Sequence, residues 1–186
     1  MRLFIAINFP GAVKEAVAEI RDCLKDESLR GNFSFDANLH LTLVFLGECN
    51  PQQMKVVKTV MSNTTFSDFT ITLDKVGYFK RDNGNTWWIG LKESKPLSDL
   101  QSDLCSNLAQ NGFILESRSY APHVTLGREV KMRSGYIQPE AQQIDFKVSS
   151  IELMKSERIN GKLTYTPVFS KKALQSFDAN IADFAG

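Results

Sequence analysis

The sequence predicts a mixed strand-and-helix chain built as two similar lobes related by a pseudo-two-fold axis. Three observations carry this reading. The only two histidines, His40 and His123, open the same short pattern, His40-Leu41-Thr42-Leu43 and His123-Val124-Thr125-Leu126. Each pattern alternates polar with aliphatic residues, the period-two signature of a half-buried strand. Each also follows an apolar strand and a helix at nearly the same distance: 37 residues separate Leu3 from His40, and 36 separate Trp87 from His123. Chance matching at both histidines is on the order of one in ten thousand. Repetition at fixed spacing points to a duplicated unit, and a two-fold axis sets the histidines opposite each other across a cleft.

The elements follow in order. Residues 3–7 form an apolar run, read as a buried strand. Pro10 opens a helix whose stripe is Val13, Val17, Ile20 and Leu24, and the polar stretch 25–32 ends it. The first motif strand covers 40–46 and stops at Gly47. Asn50-Pro51 with Gln53 spells a capped helix start, followed by apolar Met54, Val57 and Met61. Residues 69–79 and 86–91 read as strands around the turn Asp82-Asn83-Gly84-Asn85. Pro96 opens a third helix carrying Leu97, Leu100, Leu104 and Leu108, with Gly112 as its stop. The second motif strand starts at His123. Residues 144–154 and 163–169 read as a strand pair turned at Asn160-Gly161, and Phe177, Ile181 and Phe184 suggest a short terminal helix.

With 186 residues and 42% apolar content, the chain is long enough for one sizeable core, and a single bilobal domain over 1–186 with intertwined lobes is expected. A net charge of +1 argues against gripping a long duplex, so any nucleic-acid contact is to a terminus or a short single strand. Three widely spaced cysteines suggest neither a disulfide framework nor a zinc cluster. The apolar start is too short for a secretory signal, and no stretch is long enough to span a membrane, so a cytoplasmic protein is expected.

The chemistry lies in the doubled pattern. On each strand the histidine and threonine share one face while the aliphatic pair takes the other. Two such strands facing each other supply an acid, a base and two hydroxyls around a small anionic centre. A metal held by the same histidines is disfavoured, because no cysteine or carboxylate stands at ligand spacing. No cofactor is expected. The leucine stripe of the third helix reads as core, Lys131 and Arg133 as a solvated basic loop, and Trp87-Trp88 as one packing residue and one at the rim.

These motifs resemble the two-histidine (2H) phosphoesterase superfamily, and within it the RNA 2′,3′-cyclic phosphodiesterases, also called 2′-5′ RNA ligases. The resemblance extends to the opening 1–7, to 38–43 with Phe45-Leu46-Gly47-Glu48, to 122–128, and to 151–156 with Gly161 and Tyr165. The chain departs from it at Phe35, Val44 and Ala121, where the family often carries tryptophan, a basic residue and a basic residue. The resemblance implies a bilobal α+β fold, with an antiparallel sheet and packed helices in each lobe and the site in the cleft between them. It also implies metal-free hydrolysis of a terminal 2′,3′-cyclic phosphate on RNA to a 2′-phosphomonoester, reversible as 2′-5′ ligation. His40 is then the proton donor and His123 the acceptor, while Thr42, Thr125 and Arg128 hold the phosphate. Spacing alone leaves the acid and base assignment open. A strict strand puts Arg128 on the wrong face, so a bend at Gly127 is required. Phe35, Tyr78 and Phe79 are stacking candidates. The expected partner is an RNA end or a small cyclic nucleotide, with a monomer acting alone. A sibling activity on small cyclic nucleotides or 2′-5′ oligonucleotides, and a non-catalytic RNA-end binder, are the alternatives.

Overall fold

The first strand, β1 (Arg2–Asn8), shows how composition sets architecture in the computed structural model, which describes residues 1–174. Leu3, Ile5 and Ile7 enter the main core, whereas Phe4 and Ala6 are buried with Met154 on the opposite face, where half-buried Tyr165 packs against them. An unbroken apolar run is what burial on both faces requires. The chain continues as α1 (Gly11–Asp26), β2 (Ser28–Phe33), a 3-10 turn (Asp36–Asn38), β3 (His40–Glu48) and α2 (Pro51–Asn63). Then come β4 (Phe69–Phe79), β5 (Asn85–Leu91), α3 (Lys95–Gln110), β6 (His123–Met132), β7 (Ile144–Val148), β8 (Ser150–Ile159) and β9 (Lys162–Lys172). The expected terminal helix lies outside the described residues.

Two sheets form, ordered β3-β1-β8-β9 and β2-β6-β5-β4-β7, with antiparallel pairing throughout. With β2 set aside, β3-β1-β8-β9 matches β6-β5-β4-β7 strand for strand. His40 opposes Asn8 on β1, and His123 opposes Gly90 on β5, so each motif opens beside the end of its partner strand. The helices exchange sheets: α1 leaves β1 yet packs on β6 and β7, and α3 leaves β5 yet packs on β3. One buried cluster therefore joins residues of both sheets, Leu3 and Ile5 together with Trp87 and Val124. This is the α+β architecture the repeat and the resemblance predict.

Local signals fix the boundaries. Asn50 and Gln53 form a reciprocal capping box at α2, with Asn50 Oδ1 accepting from the Gln53 amide at 2.8 Å. Helix α3 ends in a Schellman pair, Gly112 N–H to Ala109 O (3.0 Å) and Phe113 N–H to Leu108 O (3.1 Å), with Gly112 at φ +84°. Asn160 and Gly161, at φ +50° and +80°, suit the tight turn joining β8 to β9.

Three expectations are corrected. The polar stretch 25–32 is not simply a loop: β2 is an edge strand, mostly exposed, held by backbone pairing to β6 and so lacking a hydrophobic pattern. Residues 144–154 are not one strand. The chain breaks at Ser149, leaving β7 on β4 in one sheet and β8 on β1 in the other, a crossing that continuous apolar alternation conceals. Gly47 does not stop β3 but lies in an irregularity, at φ +71°, where Leu3 pairs with Gly47 and Phe4 with Phe45.

Strand β6 carries extra residues against β5. Trp88 pairs with Thr125 and Trp87 with Gly127; Asn85 then pairs with Val130, with Glu129 at φ +54°. A Cβ on Gly127 would meet Phe33 Cδ1 at 2.9 Å and Val130 Cγ2 at 3.0 Å. Gly127→Ala is therefore expected to destabilise the protein by about 1–3 kcal/mol in urea denaturation.

Candidate active site

The motif strands β3 and β6 belong to different sheets and lie against each other. Leu41, Leu43, Val124 and Leu126 are buried, which leaves His40, Thr42, His123 and Thr125 half-buried on the alternate face. Two side-chain hydroxyls fasten the strands reciprocally. Tyr120, three residues before His123, donates from Oη to the Thr42 carbonyl at 3.0 Å. Ser34, six residues before His40, donates from Oγ to the Thr125 carbonyl at 2.8 Å, and its amide reaches the Leu126 carbonyl at 2.9 Å. The buried guanidinium of Arg21 holds this segment, donating Nη1–H to the Ser34 carbonyl at 2.7 Å and pairing with Asp36.

The imidazoles are anchored alike. His40 Nδ1 lies 2.6 Å from the Asn38 carbonyl, and His123 Nδ1 lies 2.7 Å from the Ala121 carbonyl, in both cases two residues back. A carbonyl can only accept, so each Nδ1 carries the proton and each neutral ring offers Nε2 as a base. His40 Nε2 meets Thr42 Oγ1 at 2.9 Å. Each ring also has two aromatic neighbours. His40 has Phe4 at 4.9 Å and Tyr165 at 5.2 Å; His123 has Phe79 at 5.3 Å and Trp88 at 6.4 Å. Trp88 lies over two glycines, since a Cβ on Gly77 or Gly90 would meet its ring at 2.4 or 3.0 Å.

The irregularity at Gly127 has the consequence the sequence requires. Leu126 and Gly127 are both buried, and Arg128 emerges exposed, in step with His123 and Thr125. Its charge bears on both histidines and on Tyr165. Burial pushes the His40 imidazolium down to about 4, with the positive charges of Lys14, Arg128 and His123 adding to the effect against the Asn38 hydrogen bond. Burial and Arg128 likewise lower His123. The site thus holds an excess of positive character.

Among the stacking candidates only Phe79 touches a motif histidine. Tyr78 packs on Trp87 at 4.8 Å, and Phe35 is 52% exposed. The Trp87-Trp88 reading holds, with Trp87 fully buried and Trp88 beside His123. Arg133 pairs with Glu27 at 3.6 Å, and Lys131 is exposed. The reading of sites from sequence missed Phe4, Trp88, Tyr120, Ser34 and Lys14. Two-sided burial of β1 is the signal for Phe4; none marks Ser34 or Lys14. Among the described residues, no three His, Cys, Asp or Glu side chains form a metal-binding group, and all three cysteines are free. No helix among them is long and apolar enough to cross a membrane.

Comparison with known proteins places this chain in a family. The 2′-5′ RNA ligase superfamily matches residues 9–160. The RNA 2′,3′-cyclic phosphodiesterase of Thermotoga maritima is 29% identical over 189 residues, covering 100% of both chains. That of Escherichia coli K12 is 30% identical over 168 residues, covering 90% of this chain and 93% of its own. The crystal structure of E. coli LigT complexed with NADP+ superposes with a TM-score of 0.80 at 29% identity, covering 94% of this chain and 98% of that one. The extent of these matches, the doubled motif and the paired antiparallel sheets agree: this chain belongs to the 2′-5′ RNA ligase superfamily.

Proposed function

We propose that this chain is an RNA 2′,3′-cyclic phosphodiesterase, opening a terminal cyclic phosphate to a 2′-phosphomonoester without a metal. The observation that carries the reading is the pair of Nδ1-anchored imidazoles on facing strands, each with its threonine and sharing Arg128. Ring opening needs a base on one side of phosphorus and an acid on the other. His123 takes a proton from water at Nε2 as the oxygen attacks phosphorus. The P–O3′ bond breaks, and His40 delivers its Nε2 proton to O3′. Thr42, Thr125 and Arg128 hold the non-bridging oxygens, where charge is carried during transfer.

The short His40–Thr42 contact couples protonation to binding. On the neutral ring Nε2 accepts, so the Thr42 hydroxyl donates to it. Once His40 is protonated, Nε2 no longer accepts: the Thr42 hydroxyl hydrogen is released toward a phosphate oxygen, and the Nε2–H turns to the leaving O3′. As part of the same reading, the enzyme acts on RNA ends as a cytoplasmic monomer; its three free cysteines suit a reducing compartment.

The direct test is turnover of an RNA oligonucleotide ending in a 2′,3′-cyclic phosphate, in EDTA, with the product resolved as 2′- or 3′-phosphate. The expected product is the 2′-phosphate. His40→Ala and His123→Ala should each lose about 10²–10⁴-fold in kcat, and Thr42→Val or Thr125→Val about 10²-fold. A bound phosphodiester anion offsets the charge of Arg128 and raises the pKa of both imidazoles. The alkaline limb of kcat, where the acid loses its proton, should therefore lie at higher pH than that of kcat/KM. Coincident limbs would contradict this charge balance.

A further inference from the structure

Lys14 is a half-buried cation in the first turn of α1, and nothing in the proposed hydrolysis uses it. Lys14 and Arg21 stand seven residues apart, about two helical turns, so they share one side of the helix. That side meets the turn Asp36–Asn38, which leads into the first motif. Arg21 holds Ser34 and Asp36, and Lys14 Nζ donates to the Ala37 carbonyl at 3.0 Å. From β9, the Leu163 carbonyl accepts from Asn38 Nδ2 at 2.8 Å. The next carbonyl along the chain, that of Asn38, is the one that accepts from His40 Nδ1. Lys14 therefore stands one peptide away from the bond that fixes the His40 ring.

The site is otherwise close to two-fold symmetric. Each imidazole has an anchoring carbonyl two residues back, a threonine two residues on and two aromatic neighbours. Lys14 breaks that symmetry. The charged and titratable groups facing His40 are Lys14 from α1, Arg128 and His123 from β6, and Tyr165 from β9; β1 contributes the neutral Phe4. Among the described residues, the charge that bears on His123 is Arg128. Asp36 also faces Lys14 and favours its charged form. A cation behind one ring and not the other makes the two unequal. Repulsion releases a proton from His40 more readily, and His123 keeps more of its strength as a base. We propose that Lys14 is a positioning residue for His40, fixing the turn that aims the ring and fitting this histidine, of the two, to give its proton to O3′; the proposal rests on the hydrolytic reading above.

The test compares the parent with Lys14→Met, which removes both hydrogen bond and charge, and Lys14→Arg, which keeps both. Both imidazoles are titrated by NMR in the free protein, and pH profiles of kcat and KM are measured on the cyclic-phosphate RNA. In Lys14→Met the His40 titration should move upward, because a repelling charge is gone, while that of His123 stays in place. The alkaline limb of kcat should move to higher pH with it, and the plateau should fall several-fold as the acid weakens, with KM little changed. Lys14→Arg should restore both readings. Should Lys14→Met fail to fold, Lys14→Gln removes the charge alone and is expected to shift His40 in the same direction. An unmoved His40 would overturn the proposal, and so would His40 and His123 moving together, the mark of a general loosening. A rise in KM with kcat and its limb unchanged would instead make Lys14 a grip on the RNA. Failure of the parent to hydrolyse the RNA would sink the hydrolytic reading separately, and the proton-donor role with it. The His40 titration would still decide whether Lys14 sets the state of that ring.

Discussion

The whole site depends on holding two strands from different sheets at a fixed separation with their polar faces turned the same way. Alternation supplies the facing: burying Leu41, Leu43, Val124 and Leu126 leaves the histidines and threonines no other side. The reciprocal hydroxyl bonds supply the separation. Tyr120 leads into the second motif and fastens the Thr42 carbonyl; Ser34 precedes the first motif and fastens the Thr125 carbonyl. Each motif is thus registered against the other by the segment that introduces its partner. The exchanged helices bind the same two sheets through one core, so a shift in either sheet disturbs packing as well as hydrogen bonding.

Within that frame, the electrostatics are set for an anion. Backbone carbonyls at Asn38 and Ala121 fix both tautomers, and a ring turned to offer Nδ1 would lose its anchor. Burial together with Arg128 makes a proton on either imidazole unfavourable until negative charge arrives. In the proposed reaction a phosphate group supplies that charge. On that reading, binding and proton transfer are coupled through one balance of charge.

Much of this was legible in the sequence, because the strongest signals were periodic or paired. The doubled His-x-Thr pattern located both motif strands, the capping box at Asn50 located α2, and the leucine stripe located α3. The need for a bend at Gly127 was also visible, since parity alone puts Arg128 on the wrong face. Less legible was what depends on tertiary pairing. β2 has no apolar alternation because β6 holds it through the backbone. The break at Ser149 sends the chain from one sheet to the other without a change in composition. Ser34 and Tyr120 act through contacts 91 and 78 residues away, which no local pattern encodes. The aromatic pairs around each imidazole come from strands distant in sequence, and only the two-sided burial of β1 hinted at Phe4.

With only two histidines in the chain, their state can be read directly. The most direct measurement is ¹⁵N NMR of both imidazoles across a pH titration, with and without a 3′-phosphorylated mononucleotide. Both rings at neutral pH should be uncharged and protonated at Nδ1. Both should titrate below the ordinary histidine value, and both should be driven upward together when the nucleotide binds. An Nε2-protonated ring, or a nucleotide that leaves either histidine's titration unmoved, would contradict this reading of the site.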